Sequence, residues 1–228
     1  MNEAAQQTRS GILGYGSIGR QVARVAKALG MDVFAYTLHP RDTPESRRDN
    51  GFSPPGLGDP EGVFPSRWFS GTTTEELHEF LGSGIDLLVV ATPLTDKTHH
   101  LRTQLPKPRR RGKRLTPCAI VSAPEFEVLA KKKAYISNIG RGPIIHTDHL
   151  IDALDRELVR GAALDVTDPE PLPDGHPLWR AKNIIITPHV SGGSTKYSDR
   201  VLTILEGNLE RLRDGRELAN RVSRREGY

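Results

Sequence analysis

The chain has 228 residues, with 36% apolar and 26% charged residues and a net charge of +4, which suits a globular protein with room for one or two domains. A single cysteine excludes an intrachain disulfide and a multi-cysteine metal site, and fits a reducing, cytoplasmic setting. The first nine residues are polar and lack an apolar signal core, and apolar runs such as Leu87 to Ala91 are far too short to span a bilayer, so no membrane role is expected.

In chain order, Gly11 to Leu13 is a short apolar run of the kind that forms a buried strand, and Gly14-Tyr15-Gly16-Ser17-Ile18-Gly19 follows it with G-x-G-x-x-G spacing. Ile18, Val22, Val25, Ala26 and Leu29 then recur at helical spacing up to Gly30. Gly14 permits a tight turn, Gly16 lets the backbone approach a pyrophosphate, and Gly19 lets the helix pack on the strand. The helix N-terminus offers N–H groups and a partial positive charge to phosphate. Asp32 to Tyr36 reads as a second strand, so the opening is a βαβ unit and a parallel sheet follows. Where an NAD-specific turn carries an acidic residue, this chain has Thr37, with Arg41 shortly after. A small hydroxyl and a guanidinium admit a ribose 2′-phosphate, so NADP(H) is preferred, with NAD(H) as the alternative.

Thr43 to Asn50 predicts a short helix, and Gly51 to Gly71 a long Gly/Pro-rich loop carrying Trp68 and Phe69 that is functional, mobile or packed by its aromatics. Thr72 to Leu81 is a helix with a threonine N-cap, and Ile85 to Ala91 a buried strand that ends in Thr92-Pro93 at the ligand-binding edge.

Residues 102–121 hold seven basic residues, three prolines, the only cysteine and no acid. The rest of the chain is therefore net acidic, and the basicity belongs to one segment, so no nucleic-acid partner is expected. The segment reads as a disordered insertion. Joining Leu101 directly to Ser122 gives a smooth run into a helix with a Ser122/Glu125 capping box, which predicts a foreign insertion such as an intron translated in frame. Transcripts lacking these codons would bear this out, and transcripts that all contain them would refute it.

Ala134 to Ile139 is another strand, closed by Gly140-Arg141-Gly142. Thr147 is the expected cap of a helix from Asp148 to Val159 that stops at Gly161. Ala162 to Val166 and Asn183 to Thr187 are further strands, and Ser194 to Asp214 is a long amphipathic helix with Val201, Ile204, Leu205 and Leu209 on one face. The fold class is α/β, a doubly wound parallel sheet of the Rossmann type. Arg141, Glu170 and His189 each fall just past a strand's carboxyl end, so they can gather at one edge of the sheet.

At these residues the chain resembles the D-isomer-specific 2-hydroxyacid dehydrogenase family, in its fungal-type branch and near the hydroxypyruvate/glyoxylate reductases. The resemblance rests on GYGSIGR (14–20), ATPLT (91–95), NIGRGPII (138–145), GAALDVTDPEPLP (161–173), NIIITPHVSGG (183–193) and the ending RREGY. It implies Arg141, Glu170 and His189 as the catalytic set: the guanidinium holds a 2-keto acid, the imidazole donates or removes the proton, and Glu170 orients the imidazole. It implies cofactor contacts at Gly14, Gly16, Ser17, Ile18, Gly19, Thr37, Arg41, Thr92, Ile139, Arg141, Asp165 and His189, with Asp165 facing the nicotinamide carboxamide. No metal is implied, and a homodimer is.

Departures from the family pattern are also expectations. Gly140 stands where the family has Ser or Ala, predicting a looser turn, and His146 stands where an Asp is usual. The family's N-terminal substrate domain has no counterpart, so residues 10–193 read as the dinucleotide-binding domain behind a polar leader (1–9), and residues 194–228 as a remnant of the substrate domain. That predicts an exposed apolar patch on the last helix. It also keeps a second function in view, a cofactor-binding module with a regulatory role and no turnover.

Overall fold

The computed structural model describes residues 8–94 and 119–222, so most of the leader, the bulk of the basic segment with Cys118, and the RREGY ending lie outside the described residues. Seven parallel strands form one sheet: β1 Arg9–Leu13, β2 Asp32–Thr37, β3 Arg67–Ser70, β4 Leu87–Val90, β5 Tyr135–Asn138, β6 Gly161–Leu164 and β7 Ile184–Ile186. Their order is β3-β2-β1-β4-β5-β6-β7. The chain starts in the middle, winds outward to β3, crosses over to β4 and winds outward the other way. This is the expected doubly wound Rossmann sheet, and the reversal between β1 and β4 opens a crevice at their carboxyl ends.

Side chains alternate across the strands and build two cores. Leu13, Phe34 and Tyr36 point into a large cluster with Phe80, Phe126 and Leu150, from α3 Thr74–Leu81, α4 Ala123–Leu129 and α5 Thr147–Asp155. Their neighbours Ile12, Val33 and Ala35 point the other way, against Ala23 and Ala26 of α1 Ser17–Ala28. Phe80 is fully buried, 5.2 Å from the Tyr36 ring and 5.5 Å from Phe69.

Several local expectations change. Helix α1 lies where it was expected; Gly19, Arg20, Ala23 and Ala26 are buried, and of the apolar residues at helical spacing Ile18, Val25 and Leu29 are exposed. Close packing on β1 selects small residues, since a Cβ at Gly19 would lie 2.2 Å from the Gly14 carbonyl oxygen. The expected long loop 51–71 ends in a strand, β3, whose Arg67–Ser70 pairs with Phe34–Thr37. The rest of the loop is tied down: buried Asp59 accepts from the Tyr15 hydroxyl (2.8 Å) and from the Val63 and Phe64 N–H groups, and Trp68 packs edge-on against Tyr15 at 5.0 Å. The short helix in 43–50 contracts to α2 Pro44–Arg47.

Helix α5 is capped at His146, not Thr147, whose hydroxyl donates to the Asp168 carbonyl at 2.7 Å. It also ends four residues early, at Asp155. The left-handed exit is made by Glu157 (φ 57°), and Gly161 opens β6. The capping box before α4 forms, with the Glu125 carboxylate accepting from the Ser122 N–H and hydroxyl, both at 2.9 Å. The boundary of the basic segment moves: Ala119, Ile120 and Val121 are buried, and Val121 bridges Ile145, so these three apolar residues belong to the core.

Helix α6 Tyr197–Arg213 buries no residue, and Val201, Leu205, Leu209 and Leu212 are exposed, in line with the expected patch. Tyr135 of β5 and Ile185 of β7 are exposed on the sheet itself. Parallel sheets are normally covered on both faces, so this apolar surface favours association.

Removing the central ring should be costly. Phe80→Ala is expected to destabilise the fold by about 3–5 kcal/mol in urea unfolding. A loss below about 1 kcal/mol would contradict the ring cluster as the centre of the larger core.

Candidate active site

The crevice between β1 and β4 is lined by backbone. Gly14 has φ +98°, its N–H donates to the Tyr36 carbonyl at 3.0 Å, and a Cβ there would lie 2.9 Å from the Thr92 backbone nitrogen. Glycine is therefore required at this position by both conformation and space. A Cβ on Gly16 would meet nothing within 4 Å, so this turn faces open space at the start of a 12-residue helix, with Ser17 and Ile18 exposed in its first turn. Thr92, at the exit of β4, has a buried hydroxyl oxygen with no partner among the described residues. An open glycine turn, a helix N-terminus and an orphaned hydroxyl make a cradle that fits a dinucleotide pyrophosphate.

At the exit of β2 the Thr37 hydroxyl donates to the His39 carbonyl at 2.7 Å, and the half-buried Arg41 guanidinium donates to the Ser46 carbonyl. Arg41 is thereby folded over the α2 turn. Arg20 is an unexpected part of this wall. It is 4% exposed and donates to the Asp59 and Arg47 carbonyls, with Asp49 at 3.6 Å. Burial lowers its pKa and the neighbouring acids oppose that; burial, then Asp59, push the Tyr15 phenol up, so it stays neutral.

Arg141 follows β5, after Ile139, whose N–H donates to the Val90 carbonyl at 3.1 Å. Buried Asn138 shapes this turn: its amide donates to the Arg141 carbonyl (3.0 Å) and its oxygen accepts from the Gly140 N–H (3.1 Å). Gly140 does not loosen the turn as expected, because it is buried with its Cβ position 2.8 Å from the Thr92 carbonyl oxygen. At Gly142 a Cβ would fall 1.9 Å from the Thr167 carbonyl oxygen, so glycine here lets the Arg141 turn touch the exit of β6. The exposed Arg141 guanidinium bends onto its neighbour, the Gly140 carbonyl, at 2.7 Å.

Glu170 and His189 are brought into direct contact, with Nδ1 of the imidazole 2.6 Å from Oε1 of the carboxylate. An ionised carboxylate only accepts, so Nδ1 carries the proton and Nε2 is left for a ligand. The pair borders a cavity of about 210 Å³ that Trp179 and Leu172 also line.

Asp165 lies beneath the pair, 5% exposed. Its carboxylate accepts from the Thr187 hydroxyl (2.6 Å) and the N–H groups of Val190 and Ser191 (both 2.9 Å). Burial alone would raise its pKa, but the hydrogen bonds from Ser191, Thr187 and Val190 outweigh it and hold the group far below the usual carboxylate range. His189 itself has φ 54°, a left-handed conformation that costs on the order of 1–3 kcal/mol in a non-glycine residue. Among the described residues, no group of three or more His, Cys, Asp or Glu side chains is placed to hold a metal.

Sequence reasoning brought Gly14, Gly16, Gly19, Thr37, Thr92, Ile139, Arg141, Asp165, Glu170 and His189 to one edge, and the structure gathers them there. It passed over Asn138, Asp59, Arg20 and Thr187. The first and last stand inside the NIGRG and TPH motifs, where a polar residue beside a functional one was the available signal.

The family model described as "D-isomer specific 2-hydroxyacid dehydrogenase, NAD binding domain" matches residues 1–55 and 118–191, more than half of the chain. The human glyoxylate reductase/hydroxypyruvate reductase is 31% identical over 203 residues, which is 89% of this chain and 48% of that protein. The glyoxylate reductase of Aeropyrum pernix is 28% identical over 94% of this chain and 51% of its own length. The chain thus spans about half the length of the curated relatives it matches. Among solved structures, a D-isomer specific 2-hydroxyacid dehydrogenase from Xanthobacter autotrophicus Py2, in complex with NADPH and MES, superposes with a TM-score of 0.72 at 28% identity, covering 100% of this chain and 76% of that one. The NADPH-dependent glyoxylate/hydroxypyruvate reductase of Sinorhizobium meliloti, in complex with NADP and sulfate, gives 0.70 at 26% identity, covering 100% and 58%.

The two glycines should respond differently. Gly16→Ala is expected to cost no more than about 1 kcal/mol of stability, as for a changed N-cap, while weakening any phosphate ligand of the turn. Gly19→Ala should destabilise by about 1–3 kcal/mol through overpacking. Equal stabilities in urea would contradict the geometry. Because folding lowers its pKa, Asp165 contributes stability above the ordinary carboxylate value of about 3.9 and loses it as pH falls further. Asp165→Asn should therefore be less stable at neutral pH and show a flatter acid limb; an unchanged limb would contradict the hydrogen-bond set.

Proposed function

Because the chain belongs to the D-isomer specific 2-hydroxyacid dehydrogenase family, we propose that it transfers a hydride between NADP(H) and a small 2-keto or 2-hydroxy acid. The observation that carries this is the Glu170–His189 contact of 2.6 Å, at the edge of the sheet that also carries the glycine cradle. The cofactor supplies the hydride for the keto carbon. The Gly14–Gly19 turn and the α1 N-terminus bind its pyrophosphate, and Thr92, Ile139 and Asp165 border its nicotinamide end. Thr37 and Arg41 favour a 2′-phosphate, with NAD(H) as the alternative, and two structural relatives bound to NADPH or NADP support that preference. Arg141 turns from the Gly140 carbonyl to hold the substrate carboxylate and keto oxygen in its guanidinium fork. His189, oriented by Glu170 through Nδ1, delivers a proton from Nε2 to the oxygen as it becomes an alkoxide, and takes it back in the oxidative direction. The relatives named for glyoxylate and hydroxypyruvate make these the first substrates to try.

Residues 10–193 are assigned to the dinucleotide-binding domain, behind the leader, and 194–228 to the substrate domain; the bare apolar face of α6 supports that division. The exposed Tyr135 and Ile185 support a homodimer, and the single cysteine supports a cytoplasmic setting. A second reading, a cofactor-binding module without turnover, is favoured by one fact: among the described residues the side chains of His189 and Glu170 are left 49% and 39% exposed, which admits water to the pair.

The test is fluorescence titration with NADPH and NADH, then nicotinamide absorbance after adding glyoxylate or hydroxypyruvate. Wild type is expected to bind NADPH more tightly and to turn over. His189→Ala should keep its affinity and lose about 10²–10⁴ of the rate. Unchanged turnover would remove His189 from the mechanism, and binding without turnover in wild type would establish the second reading.

A further inference from the structure

The loop 187–191 is exposed, yet it must present His189 to Glu170 with a strained backbone. Its attachments are few. The His189 N–H donates to the Asp165 carbonyl at 2.9 Å and the Thr187 carbonyl at 3.0 Å. The Val190 and Ser191 N–H groups both end on the Asp165 carboxylate. Apart from the contact with Glu170, every hydrogen bond from residues 188–191 to the body of the protein, among the described residues, ends on Asp165 or Thr187. Thr187 in turn is fixed at both ends: its N–H donates to the Leu164 carbonyl at 2.9 Å and its hydroxyl to Asp165 Oδ1 at 2.6 Å.

We propose that Asp165 and Thr187 together are positioning residues for the proton-transfer step, clamping the loop so that the His189 imidazole meets Glu170. The geometry explains why both are needed. Two neighbouring backbone N–H groups converge on one carboxylate, which bends the chain after His189 and holds it in the left-handed region. The Thr187 hydroxyl is the only side chain on the loop's other limb that reaches the same carboxylate, so it fixes the direction in which Asp165 faces. Without it the carboxylate is free to rotate away from Val190 and Ser191, and His189 loses its register with Glu170. A shift of this kind at a reacting group slows the reaction without touching the cofactor cradle. The role rests on the hydride-transfer reading above. The clamp itself is a property of the ligand-free protein and can be tested apart from it.

Thr187→Val keeps the shape and removes the donor; Thr187→Ser keeps the donor. Two readouts are needed: the hydrogen-bonded Nδ1–H proton resonance of His189 in the ligand-free protein, and kcat beside the NADPH dissociation constant. Thr187→Val should lose the resonance by exchange broadening and lower kcat about tenfold, with the NADPH constant within about twofold of wild type. Thr187→Ser should restore both. Asp165→Asn should lose the resonance and lower kcat about a hundredfold, and it serves as the reading if Thr187→Val does not fold. A wild-type resonance in Thr187→Val, or in Asp165→Asn when that is the variant read, overturns the clamp. If wild type shows no turnover and the resonance still disappears on substitution, the clamp stands and the hydride-transfer reading falls.

Discussion

Seven strands that all run the same way place seven carboxyl ends on one edge, and the functional arrangement depends on that constraint. The glycine turn leaves β1, Thr37 ends β2, Thr92 leaves β4, Arg141 follows β5, Asp165 and Glu170 follow β6, and Thr187 and His189 follow β7. No long-range folding of loops is needed to collect them. Hydrogen bonding between parallel neighbours does it, in registers such as Leu13 with Val90 and Asn138 with Leu164. The crossover from β3 to β4 adds the second element, a gap between β1 and β4 into which a helix N-terminus points.

What tightens this edge is backbone packed against backbone. Gly14 against Thr92, Gly140 against Thr92 and Gly142 against Thr167 each leave no room for a Cβ. Four exits, those of β1, β4, β5 and β6, are thereby linked in series through glycines. Asp59 and Arg20 extend the same logic outward, by fastening a proline-rich loop to the start of α1. On the far side the molecule is less finished. Helix α6 and the faces of β5 and β7 keep apolar side chains in solvent, and the Glu170–His189 pair is half exposed.

Much of this was legible in the sequence, for reasons that differ by residue. The β1–α1–β2 unit is local, so apolar runs and glycine spacing suffice to read it. Arg141, Glu170 and His189 stand in short motifs after strands, and parallel topology then puts all three on one edge of the sheet, where Glu170 and His189 meet. Strand β3 was hidden, because RWFS has no periodicity of its own and pairs only through β2. In α1 the apolar spacing marks the helix but not its inner face, where Gly19, Ala23 and Ala26 pack and Arg20 is buried while Ile18, Val25 and Leu29 are exposed. The Asp165–Thr187 contact joins residues 22 positions apart, and the polar residue in the TPH motif does not by itself name its partner. Ala119 to Val121 were absorbed into a basic run whose composition masked three core residues.

The central claim is that one edge of the sheet holds the cofactor beside the Glu170–His189 pair. Amide hydrogen exchange with and without saturating NADPH tests it most directly. Slowed exchange confined to residues 16–19, 37–41, Thr92, 139–141, Asp165 and the loop 187–191 is the predicted result. Protection at the opposite edge, around residues 84–86 and 133–134, or no protection at all, would contradict it.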